Sequence, residues 1–191
     1  MRSTIDIQRL CESWWERLAD TTRDDQHRFA EKFLSLLGWD DPDQVEPAAV
    51  PGLPSTTAYV IRLKTHAPLV TYFTLPGMLE PPAAVVKRGL DFCETTRTLV
   101  DTNRYFGAGY AFVTDLFRSY LYDARTDELL LYADATEQIT QEFGDVLRKD
   151  RVEANSLNEV RRQPRSYTAR QLREWIQRWS ETLCVDWRAP E

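Results

Sequence analysis

The chain has 191 residues, a formal net charge of −6 and 42% hydrophobic residues. That length suits one domain with appended helices, and the apolar content is enough for a sizeable core. The sequence contains no apolar run long enough for a membrane span, and a uniformly acidic surface would repel nucleic acid, so any contact with nucleic acid needs a local basic patch.

The first predicted elements are two amphipathic helices that form a hairpin across residues 1–39. Apolar residues recur at helical spacing from Ile7 to Leu18 and again from Phe29 to Leu37. Gly38 follows the second stripe, where a helix C-cap is expected. The proline-rich stretch from Asp40 to Ser55 is predicted to be a loop, because proline does not fit inside regular elements.

Residues 56–147 are predicted to form an α/β core. The expected elements are a β-hairpin of Thr57 to Lys64 and Leu69 to Leu75, a helix that starts at Pro81 and Pro82 and ends near Asn103, a buried strand from Gly107 to Thr114, a second hairpin of Phe117 to Tyr122 and Glu128 to Tyr132, and a helix from Asp134 to Leu147. The order strand, strand, helix, strand favours a mixed sheet with the helix across one face.

The C-terminal part is predicted to be a basic linker and a final helix. Residues 148–167 show little apolar periodicity, which indicates a linker or a loosely docked arm. Thr168 and Gln171 have the spacing of a capping box, and an amphipathic stripe continues over 168–184. Together, 1–191 is predicted to be a single α/β domain with flanking N- and C-terminal helices.

Three stretches of the chain follow a pattern of elements that has a known counterpart. They are the helical lead-in, made of Leu10 to Leu18 and Phe29 to Trp39, the hairpin from Thr57 to Leu75, and the run from Gly109 to Asp123. Over Leu10 to Phe143 this pattern resembles the PD-(D/E)XK nuclease fold at the N-terminus of type I restriction subunits and fused restriction–methylation enzymes. The resemblance implies a restriction-endonuclease-like mixed sheet and a role linked to DNA.

The chain departs from that family where its active members carry their chemistry. In those members an Asp begins the first hairpin strand and a Glu-x-Lys lies on the second, and the carboxylates hold a divalent cation at the phosphate. Here no Asp or Glu occurs from Pro47 to Leu79. The expected positions fall near Thr57 to Ile61 and near Thr71 to Thr74. We therefore assign no catalytic residue, no metal site and no cofactor.

Two other sets of polar residues are candidates for a catalytic site. Asp91, Glu94 and Asp115 are the acids that a displaced nuclease site would use, although a solvated helix face explains the first two better. His27 and His66 have no Ser, Cys or second His at a useful spacing, so we expect both to be exposed polar residues.

The stretch from Arg148 to Arg178 is locally basic. Guanidinium groups bind phosphate with two parallel hydrogen bonds, so such a stretch can dock a nucleic-acid backbone. Charged stretches are, however, more often an ordinary solvated surface. The arginines assigned to DNA binding are Arg161, Arg162, Arg165, Arg170 and Arg173. Trp175 and Trp179 lie among them and offer a partner surface as an alternative.

The cysteines bear on the cellular compartment. Cys11, Cys93 and Cys184 are odd in number and far apart, which disfavours a disulfide framework and a zinc site. The segment from Met1 to Leu10 mixes Arg, Asp and Ile, unlike a signal peptide. We expect buried thiols in a protein of the reducing cytoplasm.

Three functions remain as hypotheses. The leading one is a non-catalytic nuclease-fold domain that binds DNA, or a partner protein, in a setting such as restriction–modification. The second is a protein-interaction or self-assembly module that uses the Trp-rich helices. The third is a metal-dependent nuclease with a displaced acidic site. None of the three involves a membrane.

Overall fold

The computed structural model describes residues 2–16, 22–53, 56–64, 66–74, 79, 102–103, 105–115, 118–126, 128–133 and 143–162. Several sequence predictions lie outside these residues. They are nearly all of the helix that starts at Pro81, most of the helix from Asp134, the end of the linker after Arg162, the helix over 168–184, and Cys93 and Cys184.

The predicted N-terminal helices are present as α1 (Arg2–Trp15) and α2 (Arg23–Leu36). Helix α2 begins with a capping box, in which the Asp25 amide donates to Thr22 Oγ1 at 3.2 Å and the Thr22 amide donates to Asp25 Oδ2 at 3.1 Å. The rings of Trp14 and Phe29 lie 4.9 Å apart, centroid to centroid, and join the two helices.

Helix α2 ends as its sequence predicts, at a glycine. Gly38 has a φ of +88°, a conformation that side-chain-bearing residues rarely adopt. The Trp39 amide donates to the Leu34 carbonyl at 3.0 Å and the Gly38 amide donates to Ser35 at 2.8 Å, which is the Schellman pattern. This ending satisfies two helix carbonyls and turns the chain toward the sheet.

A six-stranded mixed sheet forms the centre of the protein. Its strands are β1 (Val45–Ala48), β2 (Thr57–Ile61), β3 (Leu69–Phe73), β4 (Tyr110–Thr114), β5 (Ser119–Asp123) and β6 (Glu128–Ala133). They lie side by side in chain order, with all neighbours antiparallel except β3 and β4, which are parallel. The predicted mixed sheet, both hairpins and the α/β class are therefore confirmed.

Strand β1 corrects the prediction of an unbroken loop from Asp40 to Ser55. Its proline, Pro47, lies opposite Tyr59 of β2. Proline is tolerated in a strand at the edge of a sheet because its missing N–H need not serve a second neighbour. Glu46 of β1 forms an exposed ion pair with Arg62, just after β2. Proline is compatible with an edge position, so the prolines of this stretch do not exclude a strand.

The two faces of the sheet are both buried. The face that carries Tyr59, Phe73 and Phe112 packs against the N-terminal helices, and we call it the helical face. There the ring of Phe33 stacks on Phe112 with centroids 6.0 Å apart. The opposite face carries residues of a separate apolar cluster, among them Val70, Val113 and the tyrosines 72, 120 and 122. Burial on both faces explains why these strands are nearly all apolar.

Most of the described part of the predicted basic linker, residues 148–162, is helical, whereas the sequence indicated a linker or a loosely docked arm. A single helical turn, α3 (Gly144–Val146), precedes α4 (Lys149–Glu153) and α5 (Ser156–Arg162). Val152 and Leu157 are buried in the core of the helical face. Asn155, with φ of 84°, separates α4 from α5. This break removes any continuous helical period, so the apolar pattern was not visible in the sequence.

Further contacts attach this C-terminal part to the N-terminal hairpin. The Trp39 indole N–H donates to the Leu147 carbonyl at 2.9 Å, and the Lys149 amide donates to the Leu37 carbonyl at 2.9 Å. Phe143 and Leu147 are buried, and Val146 packs partly buried against the same core. In the part of the chain that the structure describes, no helix has the length and apolar composition to cross a bilayer.

Candidate functional site

The β2–β3 hairpin is the segment in which the resemblance predicted from the sequence would place catalytic acids. Thr57, Tyr59, Thr71 and Thr74 are all buried there. The Thr71 hydroxyl is directed at the Tyr59 carbonyl at 3.4 Å, a long hydrogen bond within the sheet. Among the described residues, no group of three or more His, Cys, Asp or Glu side chains is placed to hold a metal ion. The hairpin itself supplies no anionic ligand for a hard cation.

Asp115 is held by backbone amides at the end of β4. Its Oδ1 accepts from the Arg118 amide at 2.7 Å and its Oδ2 from the Leu79 amide at 3.1 Å. The residue is fully buried. These contacts tie the turn between β4 and β5 to the segment at Leu79. The other two acids of the displaced-site hypothesis, Asp91 and Glu94, lie outside the described residues.

A group of paired charged and polar side chains lies where α5 meets the start of β4 and the end of β5. Tyr110 and Asp123 face each other as a cross-strand pair on these strands. Asn158 and Arg161 are one turn apart on α5 and therefore share a helix face. The Tyr110 hydroxyl donates to Asn158 Oδ1, and Arg161 Nε lies 2.8 Å from Asp123 Oδ2. We call these four residues, with Arg125, the α5 cluster.

Charge compensation explains how Asp123 is tolerated in the interior. Its side chain is 0% exposed, whereas that of Arg161 is 36% exposed and that of Arg125 is 55% exposed. Asp123 Oδ1 also accepts from the Arg125 amide at 3.0 Å, and the Arg125 Nε lies 3.6 Å away. A buried carboxylate is costly unless it is paired and hydrogen-bonded. Two arginines form ion pairs with Asp123 and the Arg125 amide donates to Oδ1, whereas Oδ2 accepts no hydrogen bond among the described residues and depends on its ion pair with Arg161.

Tyr110 is perturbed by the same environment. Burial raises the pKa of its phenol above the ordinary value of 10.0, while the neighbouring Arg161 guanidinium opposes that rise. The phenol therefore stays protonated at neutral pH and acts as a hydrogen-bond donor to Asn158. The α5 cluster is consequently a set of paired groups that fixes a helix, with part of the Arg161 side chain still open to solvent.

The structure places only some of the predicted site residues. Arg161 is in the α5 cluster, and Arg162 is the last residue of α5. The remaining predicted residues lie outside the described part of the chain: Arg165, Arg170, Arg173, Trp175 and Trp179. Sequence reasoning missed Asp123, Tyr110 and Asn158. Of these, only Asp123 has a signal in the sequence. It is an acid at the end of a buried strand, and a buried charge needs a partner.

The histidines differ from expectation in one case. His66 is exposed, as predicted, but His27 is half-buried, with Nδ1 3.4 Å from the Tyr59 hydroxyl. Its position on α2 above β2 brings the two together. Burial, assisted by the negative charge of Glu31, raises the pKa of Tyr59 to about 12.

A shallow cleft lies between the end of α2 and the start of α4. It encloses about 380 Å³ and is lined by Leu36, Leu37, Gly38, Arg148, Lys149, Asp150 and Glu153. Two of its charged side chains pair with each other, and a third lies near an aromatic ring. Arg148 forms two hydrogen bonds to Asp150, and the Lys149 ammonium lies 5.8 Å from the centre of the Trp39 ring. The cleft has no convergent set of groups for one class of ligand.

The fold and the site define an α/β protein in which two buried acids, Asp115 and Asp123, are held by backbone amides and, at Asp123, by arginine. No model of a known protein family, no curated protein and no solved structure significantly matches the chain.

Proposed function

We propose that the chain is a non-catalytic domain of restriction-endonuclease-like fold that binds DNA through the basic segment from Arg161 onward. The observation that carries the non-catalytic part is the β2–β3 hairpin, which is buried and free of Asp and Glu. Two carboxylates on such strands are what a nuclease needs to hold its cation. Without them the hairpin cannot hold that cation, and DNA binding is the activity that we propose for this fold.

Support for the fold comes from the arrangement of the sheet. A hairpin followed by a parallel strand, β4 on β3, agrees with the order strand, strand, helix, strand on which the resemblance depends. A parallel neighbour requires a long crossover connection, and residues 74–109 provide one. Fold alone does not establish function, so DNA binding depends on the arginines.

Support for the interface comes from the chemistry of the segment that begins on α5. Arg161 and Arg162 end this helix, and Arg165, Arg170 and Arg173 follow within a short stretch of sequence. The net charge of −6 makes such a local basic segment the favourable place for a polyanion to approach. Contacts of this kind are made to phosphates and carry no sequence preference.

The binding test is a fluorescence-anisotropy titration of the full chain with a labelled DNA duplex. We expect affinity to fall steeply between about 50 and 200 mM salt, because phosphate contacts release counterions. The variant R162A/R165A should bind more weakly, with a salt slope reduced by about 1 for each lost contact. The control R9A/R28A removes two exposed arginines from α1 and α2 and should bind like the wild type.

Two results would overturn this proposal. One is the absence of binding at low salt, and the other is an equal loss in R162A/R165A and R9A/R28A. Incubation of duplex DNA with Mg²⁺ or Mn²⁺ tests the non-catalytic part, and we expect the DNA to stay intact. Cleavage that disappears in Asp91→Ala would instead establish the displaced acidic site.

A further inference from the structure

We propose that the Asp123 carboxylate is an internal substitute for phosphate that occupies Arg161 and thereby lowers the affinity of the chain for DNA. The inference rests on the proposed function, because it describes how that same basic segment is restrained. The contact that carries it is the ion pair between Arg161 Nε and Asp123 Oδ2 at 2.8 Å.

The chemistry of the pair makes the substitution possible. A guanidinium group binds carboxylate and phosphate through the same fork of N–H donors, so the two anions compete for one cation. Arg161 is 36% exposed along its side chain, which leaves it open to an approaching phosphate. Asp123 is fully buried, so the carboxylate cannot follow the arginine outward. Binding of Arg161 to DNA therefore requires the pair to separate.

The surroundings of the Arg161–Asp123 pair limit the free-energy cost of separating it and allow it to form again. When Arg161 leaves, Asp123 Oδ1 keeps the Arg125 amide at 3.0 Å and the Arg125 Nε at 3.6 Å, so the buried charge retains a cation. Oδ2, whose described contact is the ion pair with Arg161, loses that contact, and this loss favours return of the arginine. Helix α5 keeps the hydrogen bond from Tyr110 to Asn158 and the buried side chain of Leu157. The helix thus stays docked while Arg161 exchanges its partner. This arrangement is an autoinhibitory contact between the sheet and the basic segment.

The first test compares DNA affinity in wild type and Asp123→Asn. Asparagine has the same shape and can still accept from the Arg125 amide, but it carries no charge. We expect DNA to bind several-fold more tightly to D123N, with the salt slope steeper by about 1, because Arg161 gains a phosphate. The gain should disappear in D123N/R161A. The proposal is overturned if D123N binds like wild type or if the gain survives removal of Arg161.

A second variant keeps the test valid if D123N folds poorly. In the wild-type background Arg161→Ala should change the affinity less than about twofold, because the arginine is already occupied, whereas R165A should weaken it more. Equal losses in R161A and R165A would contradict the inference.

A readout without DNA separates this inference from the proposed function. Arg161 should react with phenylglyoxal more slowly than the exposed Arg151 in wild type, and at a similar rate in D123N, as measured by peptide mass spectrometry. Equal rates in wild type overturn the inference. Slow reaction of Arg161 together with no DNA binding by any variant overturns the proposed function, and the autoinhibitory role with it. DNA binding that D123N leaves unchanged overturns the inference alone.

Discussion

Gly109 lies where the turn between β2 and β3 meets the start of β4. Its amide donates to the Pro68 carbonyl at 2.8 Å, and its carbonyl accepts from the Ala124 amide at 3.1 Å. A Cβ atom at this position would lie 2.8 Å from the Ala67 Cβ and 3.5 Å from the Ala67 carbonyl oxygen. The absence of a side chain here allows two turns to approach each other at one end of the sheet.

We expect Gly109→Ala to destabilise the fold by about 1–3 kcal/mol, the usual cost of forcing extra volume into a packed site. Urea unfolding measures this change through the midpoint at constant m-value. The matched control is A67G/G109A, which removes the obstructing methyl group. Recovery of most of the loss supports the steric explanation, whereas a double variant as unstable as G109A would contradict it.

At the scale of elements, the C-terminal helices α4 and α5 belong to the core and are more than a charged arm. Leu157 is 3% exposed within the cluster of the helical face, and Glu159 on the same helix is exposed. Leu157→Ala should therefore lower the free energy of unfolding by about 2–5 kcal/mol, as truncations of buried leucine do.

The control for this prediction is Glu159→Ala, which changes the same short helix at a solvent-exposed position. Its effect should stay within about 0.5 kcal/mol. Thermal and urea unfolding of both variants give the comparison. If L157A and E159A have the same stability as wild type, residues 156–162 do not contribute to the core and the linker prediction was right.

The elements also show which features a sequence can reveal. Both hairpins and the N-terminal helices were predictable because alternation and helical stripes persist over several residues. Strand β1 was not predictable, because Pro47 argues against a strand in the sequence and is tolerated only because β1 lies at the edge of the sheet. Helices α4 and α5 were not predictable, because the break at Asn155 interrupts their apolar periodicity. Arg161 was recognised as a cation, but its pairing with Asp123 depends on how distant segments meet in the folded sheet.

At the scale of the whole molecule, burial has suppressed the ionisation of groups that titrate at high pH. Burial raises the pKa of Cys11 from its ordinary value of 9.0 to about 12, with a smaller contribution from Glu12. It likewise raises the pKa of Tyr59 from 10.0 to about 12, and it raises the pKa values of Tyr72 and Tyr120 as well. The tyrosines lie on both faces of the sheet and Cys11 lies on α1, so the effect concerns the fold as a unit.

The sign of the resulting pH dependence follows from proton counting. Between pH 9 and 12 the unfolded chain has released protons that the folded chain still holds, so unfolding becomes more favourable as pH rises. Each such group removes about 1.4 kcal/mol of stability per pH unit inside its window. Stability from this source is complete below about pH 9 and declines as pH approaches 12.

We therefore expect the urea midpoint to fall progressively above about pH 9, the ordinary pKa of the Cys11 thiol. Tyr59→Phe removes one titrating phenol. Between pH 10 and 12 the free energy of unfolding of this variant should therefore decline less steeply than that of wild type, by about 1.4 kcal/mol per pH unit. Comparison with wild type at pH 7, where neither group ionises, separates this effect from any change in packing. A midpoint that stays constant up to pH 11, or an equal decline in Y59F, would show that these groups are accessible to water in the folded protein.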